Sequence, residues 1–160
     1  MNTFPKYALA ECERRWRVDP RRTEWVASLP FREIDDLYLR GTRLRLRRVR
    51  SAEGVVFKLG KKYGKAPDGA EPITNIYLTE AEYAALSQLP GYAVSKRRYA
   101  VGEGALDIYQ GPVPAAIFER EFASAADAAA CAAPPFAIEE VTDMPEYCGF
   151  ALAVAATQRR

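Results

Sequence analysis

The sequence predicts an α+β fold dominated by antiparallel strands, and three observations predict it. Several short stretches alternate charged and apolar residues with a period of two, beginning with Glu11-Cys12-Glu13-Arg14-Arg15-Trp16-Arg17-Val18. Alternation of that kind gives a strand two chemically different faces. Glycine turns at Gly41, Glu53-Gly54 and Gly102-Glu103-Gly104 separate successive alternating stretches, as hairpins require. Helix-start signals lie between the strands, at Asp19-Pro20, at the Thr79-Glu80-Ala81-Glu82 capping box and at Ser124-Ala125-Ala126-Asp127.

In chain order, the opening strand sends Glu11, Glu13, Arg15 and Arg17 to one face and Cys12, Arg14, Trp16 and Val18 to the other. Asp19-Pro20 then predicts a short helix carrying Trp25, Val26 and Leu29, closed by Pro30. From Ile34 to Val49 a strand through Leu37-Tyr38-Leu39 reaches the turn at Gly41, and a second returns through Thr42 to Arg47. Arg43, Arg45 and Arg47 share a face of that second strand, with Leu44 and Leu46 on the other. Three arginines on one face repel each other unless anions sit opposite. Gly54 to Leu59 is a further strand with Lys58 as its charge, and Gly60 to Gly69 reads as a flexible lysine-bearing loop. Glu71 to Leu78 is β-prone, and the capping box opens a helix through Tyr83, Leu86 and Leu89 that Pro90-Gly91 stops.

The second half returns to strands. Tyr92 to Val101 places Lys96 and Arg98 together, and Ala105 to Gln110 returns with Asp107 and Tyr109 together. Ala115 to Phe122 alternates Ile117, Glu119 and Glu121 with Phe118 and Phe122. Ser124 caps an alanine-rich helix ending at Pro134-Pro135, Ile138 to Thr142 is a last strand, and a small helix from about Pro145 leads into an apolar tail.

Composition removes several function classes. A chain of 160 residues with 49% apolar and 28% charged side chains fits one globular domain, residues 1–160, with a substantial core. Its 23 basic and 21 acidic groups lack the basic excess of a general nucleic-acid binder, so no nucleic-acid partner is expected. Cys12, Cys131 and Cys148 match neither a disulfide framework nor a zinc pattern, which predicts a reducing, cytoplasmic setting. The start, Met1 to Lys6, lacks the apolar core of a signal peptide, and no stretch is long enough to span a bilayer, so no membrane partner is expected. The chain has no histidine, which excludes Ser-His and Cys-His catalysis and imidazole acid–base chemistry. Carboxylates, cations, hydroxyls or an oxygen-bound metal must do any chemistry.

Alternation leaves open which face is inside. With charged faces outward, Cys12, Trp16, Leu44, Leu46, Phe118 and Phe122 fill a barrel or sandwich core. With charged faces inward, the apolar faces pack under the helices and a lumen holds the ions. The signs are segregated by strand: Glu11 with Glu13 and Glu119 with Glu121, against Arg43, Arg45 and Arg47 and Lys96 with Arg98. Segregation suggests a metal-holding wall facing an anion-holding wall.

This series resembles the CYTH, or triphosphate tunnel metalloenzyme, family. The family's Glu-x-Glu-x-Lys motif is matched by Glu11-Cys12-Glu13-Arg14-Arg15, with arginine in the lysine position. The likeness continues in family order through Tyr38-Leu39, the Arg-Leu-Arg-Leu-Arg strand, Lys58, Lys96-Arg97-Arg98-Tyr99, Asp107-Ile108-Tyr109, Glu119-Arg120-Glu121-Phe122 and Glu140-Val141-Thr142. It implies an eight-stranded antiparallel β-barrel flanked by helices, whose tunnel binds a triphosphate-containing small molecule with Mg²⁺ or Mn²⁺. It further implies a metal wall of Glu11, Glu13, Glu119, Glu121 and Glu140, with Glu139 facing outward. The phosphate wall becomes Arg15, Arg43, Arg45, Arg47, Lys58, Lys96 and Arg98, of which Arg15, Arg45 and Lys58 take catalytic roles. Hard oxygen ligands suit such a metal, and fixed cations suit phosphoryl transfer.

The activity so implied is metal-dependent hydrolysis of a triphosphate, inorganic triphosphate first and nucleoside or thiamine triphosphate next, by a monomer or homodimer. An adenylate cyclase of the same family and a non-catalytic polyphosphate or nucleotide binder are the alternatives. Two departures bear on these. Arg15 cannot lose a proton near neutral pH, and Ile73-Thr74-Asn75-Ile76-Tyr77 lacks the charged alternation often found on that strand of the family.

Overall fold

A computed structural model describes residues 5–67 and 69–159. Met1 to Phe4, part of the segment read for a signal peptide, and Asp68 of the lysine loop lie outside the described residues. The strands are β1 (Leu9–Glu11), β2 (Glu13–Val18), β3 (Phe31–Leu39), β4 (Leu44–Ser51), β5 (Gly54–Lys62), β6 (Glu71–Leu78), β7 (Gly91–Val101), β8 (Gly104–Gln110), β9 (Ala116–Glu121) and β10 (Glu139–Glu140). The helices are α1 (Glu80–Leu86), α2 (Ala125–Ala130) and α3 (Gly149–Gln158).

All strands join one antiparallel sheet in the order β1-β6-β5-β4-β3-β7-β8-β9-β2-β10. The two ends of this order are nearly the same piece of chain: β1 and β2 are separated by Cys12 alone. One N-terminal run therefore pairs with β6 through its first half and with β9 through its second, which curls the sheet back on itself. Chain continuity at Cys12, whose carbonyl accepts from Phe122 N–H at 2.8 Å, bridges a ladder that is not itself closed. The sheet thus counts ten strands where the family likeness implies eight, because the N-terminal run is broken and β10 is added outside β2.

Register settles which face is inside. The pairs Tyr38–Arg45, Asp36–Arg47, Arg47–Lys58, Arg98–Asp107, Ala105–Glu119, Arg15–Glu119 and Glu13–Glu121 put the charged positions on one continuous face. The opposite face carries Leu46, Leu59, Trp16, Phe118 and Leu106. There Trp16, Val18, Val26, Tyr99, Leu106 and Phe118 form a buried core closed by Leu29, Phe122, Cys131 and Phe136. Trp16 and Phe136 flank Phe118 with ring centroids at 5.9 and 5.1 Å. Each such side chain contributes about 1.5–3 kcal/mol on burial.

The helices divide between the two faces of the sheet. α1 and α2 do lie outside, α1 through Tyr83 on Phe57 at 4.7 Å. α3 instead enters the charged face at one end of the lumen. Its Leu152 and Ala153 pack with Val94, Tyr109, Ile117 and Val141, and Phe150 meets the rings of Tyr38 and Tyr92. The apolar tail of the sequence is this helix. α1 has its capping box, with Glu82 N–H donating to Thr79 and Thr79 N–H to Glu82, but ends at Leu86. The helix expected after Asp19-Pro20 is only a 3-10 turn, Glu24–Val26, since the segment is too short to repay nucleation of an α-helix. β5 runs three residues into the expected lysine loop, through Lys62.

Candidate active site

The middle of the lumen is built on two buried carboxylates. Asp36 of β3 has 3% of its surface exposed. It accepts Arg47 Nε at 2.6 Å and Arg47 Nη2 at 2.7 Å, a forked pair, with Arg45 Nε at 3.9 Å. Burial alone would raise its pKa, but Arg47, Arg45 and Lys96 outweigh it and hold the carboxyl far below its ordinary range. Arg47, partly covered beside it, is pushed upward by the same pairing against its own desolvation.

Asp107 of β8 is fully buried and is shared by Lys96 and Arg98. Arg98 donates Nε and Nη2 to its two oxygens at 2.6 Å each, and Nη2 also reaches Glu119 at 2.6 Å. Two cations on one carboxylate keep Asp107 ionised and low despite its burial. Lys96 is the member that yields: burial, aided by Arg98 and Arg47, lowers its pKa although Asp107 and Glu119 pull the other way. Burial first, then Asp36 for Tyr38 and Asp107 for Tyr109, raises both phenols, so they remain neutral at ordinary pH.

Acids gather toward the other end of the lumen. Glu13, Glu119, Glu121 and Arg98 line a cavity of about 200 Å³ together with Glu103, Gly104 and Ala105. Glu11 and Glu71 are cross-strand partners, bridged by Lys62 at 3.6 and 2.9 Å. The Glu13 carboxyl is raised by burial and then by Glu119 and Glu11, against Lys62 and Arg15. Crowding of this sort suits a hard dication. Among the described residues no three acidic or thiol groups form a ready-made cage. All-oxygen donors of this kind would suit Mg²⁺ or Mn²⁺ with water filling much of its shell.

Of the residues singled out from the sequence, Glu11, Glu13, Arg15, Arg45, Arg47, Lys58, Lys96, Arg98, Glu119 and Glu121 share the inner face. Glu140 does not join them. It is the register partner of Trp16 on the outer face, where its oxygens accept Arg14 Nε at 2.8 Å and Nη2 at 2.6 Å. Glu139, expected outside, pairs in register with Arg17 on the inner face and binds its Nε at 2.6 Å. The two positions are exchanged between the faces because β10 is two residues long and its phase is set by β2 alone. Arg43 precedes β4 and is exposed, with Nη1 donating to the Tyr63 carbonyl at 2.6 Å. Arg15 donates to the carbonyls of Thr142 and Tyr147 at 3.0 and 3.2 Å, so its fork holds the C-terminal segment, while its buried Nε and that of Arg45 lack hydrogen-bond partners.

Sequence reading missed Asp36, Lys62 and Glu71. The need for anions opposite three arginines was the signal for Asp36, which the neighbouring Asp35 obscured: Asp35 faces outward to Arg48 at 2.8 Å. Gly60 disguised the continuation of β5. It sits between Arg45 and Asn75 in register, where a Cβ would lie 2.7 Å from Asn75 Oδ1 and push that side chain aside, so this glycine belongs to the inner face of a strand and not to a loop.

Several solved structures share this architecture. The crystal structure of the inorganic triphosphatase NE1496 is 24% identical, covers 91% of this chain and 95% of its own, and superposes with a TM-score of 0.57. Another crystal structure of NE1496 is 26% identical, with coverage of 90% and 97% and a TM-score of 0.56. PH1819 from Pyrococcus horikoshii OT3 is 15% identical, with coverage of 73% and 81% and a TM-score of 0.51. No protein-family profile matches the chain, and no curated protein matches it in sequence. The likeness is one of fold.

Proposed function

We propose that this chain, which has the triphosphate tunnel fold, hydrolyses a triphosphate with the help of a divalent metal. The observation that carries the reading is the single inner face on which Arg45, Arg47, Lys58, Lys96 and Arg98 stand opposite the acidic end formed by Glu11, Glu13, Glu119 and Glu121. A polyanion needs the cations and a hard dication needs the carboxylates.

In this reading Glu13, Glu119, Glu121 and Glu11 hold the metal, which when bound would neutralise phosphate charge and acidify a water. Glu140 is left out of the set, since Arg14 and Thr142 already bind it on the other face. The cations do the positioning. Asp36 and Asp107 fix Arg47 and Arg98 as forks, so that little reorganisation is needed when phosphate charge develops. The partnerless Nε of Arg45 is a donor already in place for an anion. Arg15 is assigned a positioning role, tying Thr142 and Tyr147 to β2, because a guanidinium cannot serve as a base.

Inorganic triphosphate is the first substrate to try. Phosphate release should be seen with Mn²⁺ or Mg²⁺ and should vanish on chelation. Cyclic nucleotide from ATP in place of phosphate release would transfer the reading to a cyclase. Tight calorimetric binding of triphosphate without turnover would make the protein a binder.

A further inference from the structure

One register row of the inner face extends past the phosphate cations to an exposed ring. Val94, Asp36, Arg47, Lys58 and Tyr77 are successive cross-strand partners on β7, β3, β4, β5 and β6. Val94 and Asp36 are buried at 6% and 3% exposure, Arg47 and Lys58 are partly covered, and Tyr77 at the end of the row is 72% exposed. Lys58 Nζ lies 5.1 Å from the centre of the Tyr77 ring, which leaves the cation on one face of it. Val56, two residues from Lys58 and 40% exposed, continues the apolar surface on the same face of β5, and Asn75 stands one pleat from Tyr77 on β6.

We propose that Tyr77 is the stacking platform for the ring of a nucleoside triphosphate whose phosphates lie on Arg47 and Lys58. This inference rests on the triphosphatase reading and names the organic part of its substrate. Arg47 and Tyr77 are two strands apart, roughly 10 Å at the usual strand spacing, a distance that an extended triphosphate ester bridges. The Tyr77 ring stands on the phosphate-facing side of the sheet, 72% exposed with Lys58 against it, and every base offers a π-face to such a ring. Lys58 decides between ring chemistries. An ammonium beside the platform repels a cationic ring such as thiazolium and accepts a neutral purine or pyrimidine, so thiamine triphosphate is disfavoured.

The test is the ratio of kcat/KM for ATP to that for inorganic triphosphate, measured with Mn²⁺ for the natural protein, Tyr77→Phe and Tyr77→Ala, with thiamine triphosphate as a third substrate. Loss of a stacked base predicts roughly a tenfold fall of the ratio in Tyr77→Ala, retention in Tyr77→Phe, and a lower kcat/KM for thiamine triphosphate than for ATP throughout. Circular dichroism melting confirms that the variants fold. A ratio unchanged in Tyr77→Ala, or thiamine triphosphate preferred to ATP, overturns the inference and leaves the triphosphatase reading standing. If none of the substrates is cleaved, the same ratio is taken from calorimetric affinities; absence of binding to all of them overturns both.

Discussion

Asp36 is the buried carboxylate on which the inward arginines of β4 are held. A carboxylate with its surroundings closed can stay charged only because Arg47 binds both of its oxygens and Arg45 stands behind. Replacing it by asparagine leaves the partly covered Arg47 without its counter-charge, which costs about 3–5 kcal/mol. The pH dependence follows from the direction of the shift. The folded pKa lies below the unfolded value of about 3.9, so the stability that Asp36 supplies is fully present above that unfolded value. It is lost as the pH falls through the depressed folded pKa. Melting temperatures of the natural protein and Asp36→Asn between pH 2 and 7 should therefore converge at the acid end and differ most near neutrality. Parallel curves would show that the carboxylate charge is not what stabilises.

Among the elements, α3 decides how much of the tunnel is open. It begins at Gly149, where a Cβ would overlap the Tyr38 hydroxyl and lie 3.6 Å from that of Tyr109. Only a residue without a side chain lets the helix approach the two phenols so closely. Gly149→Ala should destabilise by about 1–3 kcal/mol, as overpacking does, and Tyr38→Phe in the same chain should restore part of the loss by removing the hydroxyl that is struck. Urea unfolding of both variants checks this; no recovery in the double variant would place the strain elsewhere. The Arg15 contacts to Thr142 and Tyr147 act on the same segment, so β2 positions α3 as well as the acidic wall.

At the scale of the molecule, the lumen is charged yet largely neutralised from within, with Asp36, Asp107 and Glu119 against Arg47, Lys96 and Arg98. Folding should therefore need neither metal nor substrate, and ligand binding should appear as added stability. With Mn²⁺ and inorganic triphosphate together at about a hundred times their dissociation constant, linkage gives about 2.7 kcal/mol. For a chain of this size that is a rise in Tm of roughly 5–10 °C. Neither component alone should match it, because the metal needs phosphate oxygens and the phosphates need the metal's charge. A scanning-calorimetry series with each ligand singly and both combined checks the prediction; additive shifts would mean independent sites.

The alternating stretches made the strands, their polar and apolar faces and the ordered series of acids and bases legible along the chain, because side-chain direction alternates residue by residue whatever the fold. That local rule put Glu11 beside Glu13, Glu119 beside Glu121 and Lys96 beside Arg98 before any pairing was known. It could not say which face is inside, since apolar burial can be met by a filled barrel or by helices laid outside one. Strand pairing and helix docking settle that question. Pairing also decides the phase of β10, which exchanges Glu139 and Glu140 between the faces because a two-residue strand takes its direction from its partner. The same holds for Asp36, whose role comes from the register of β3 on β4, and for α3, whose apolar surface enters the charged face to close one end. These are contacts between residues far apart in the chain, and no local pattern encodes which of them will meet.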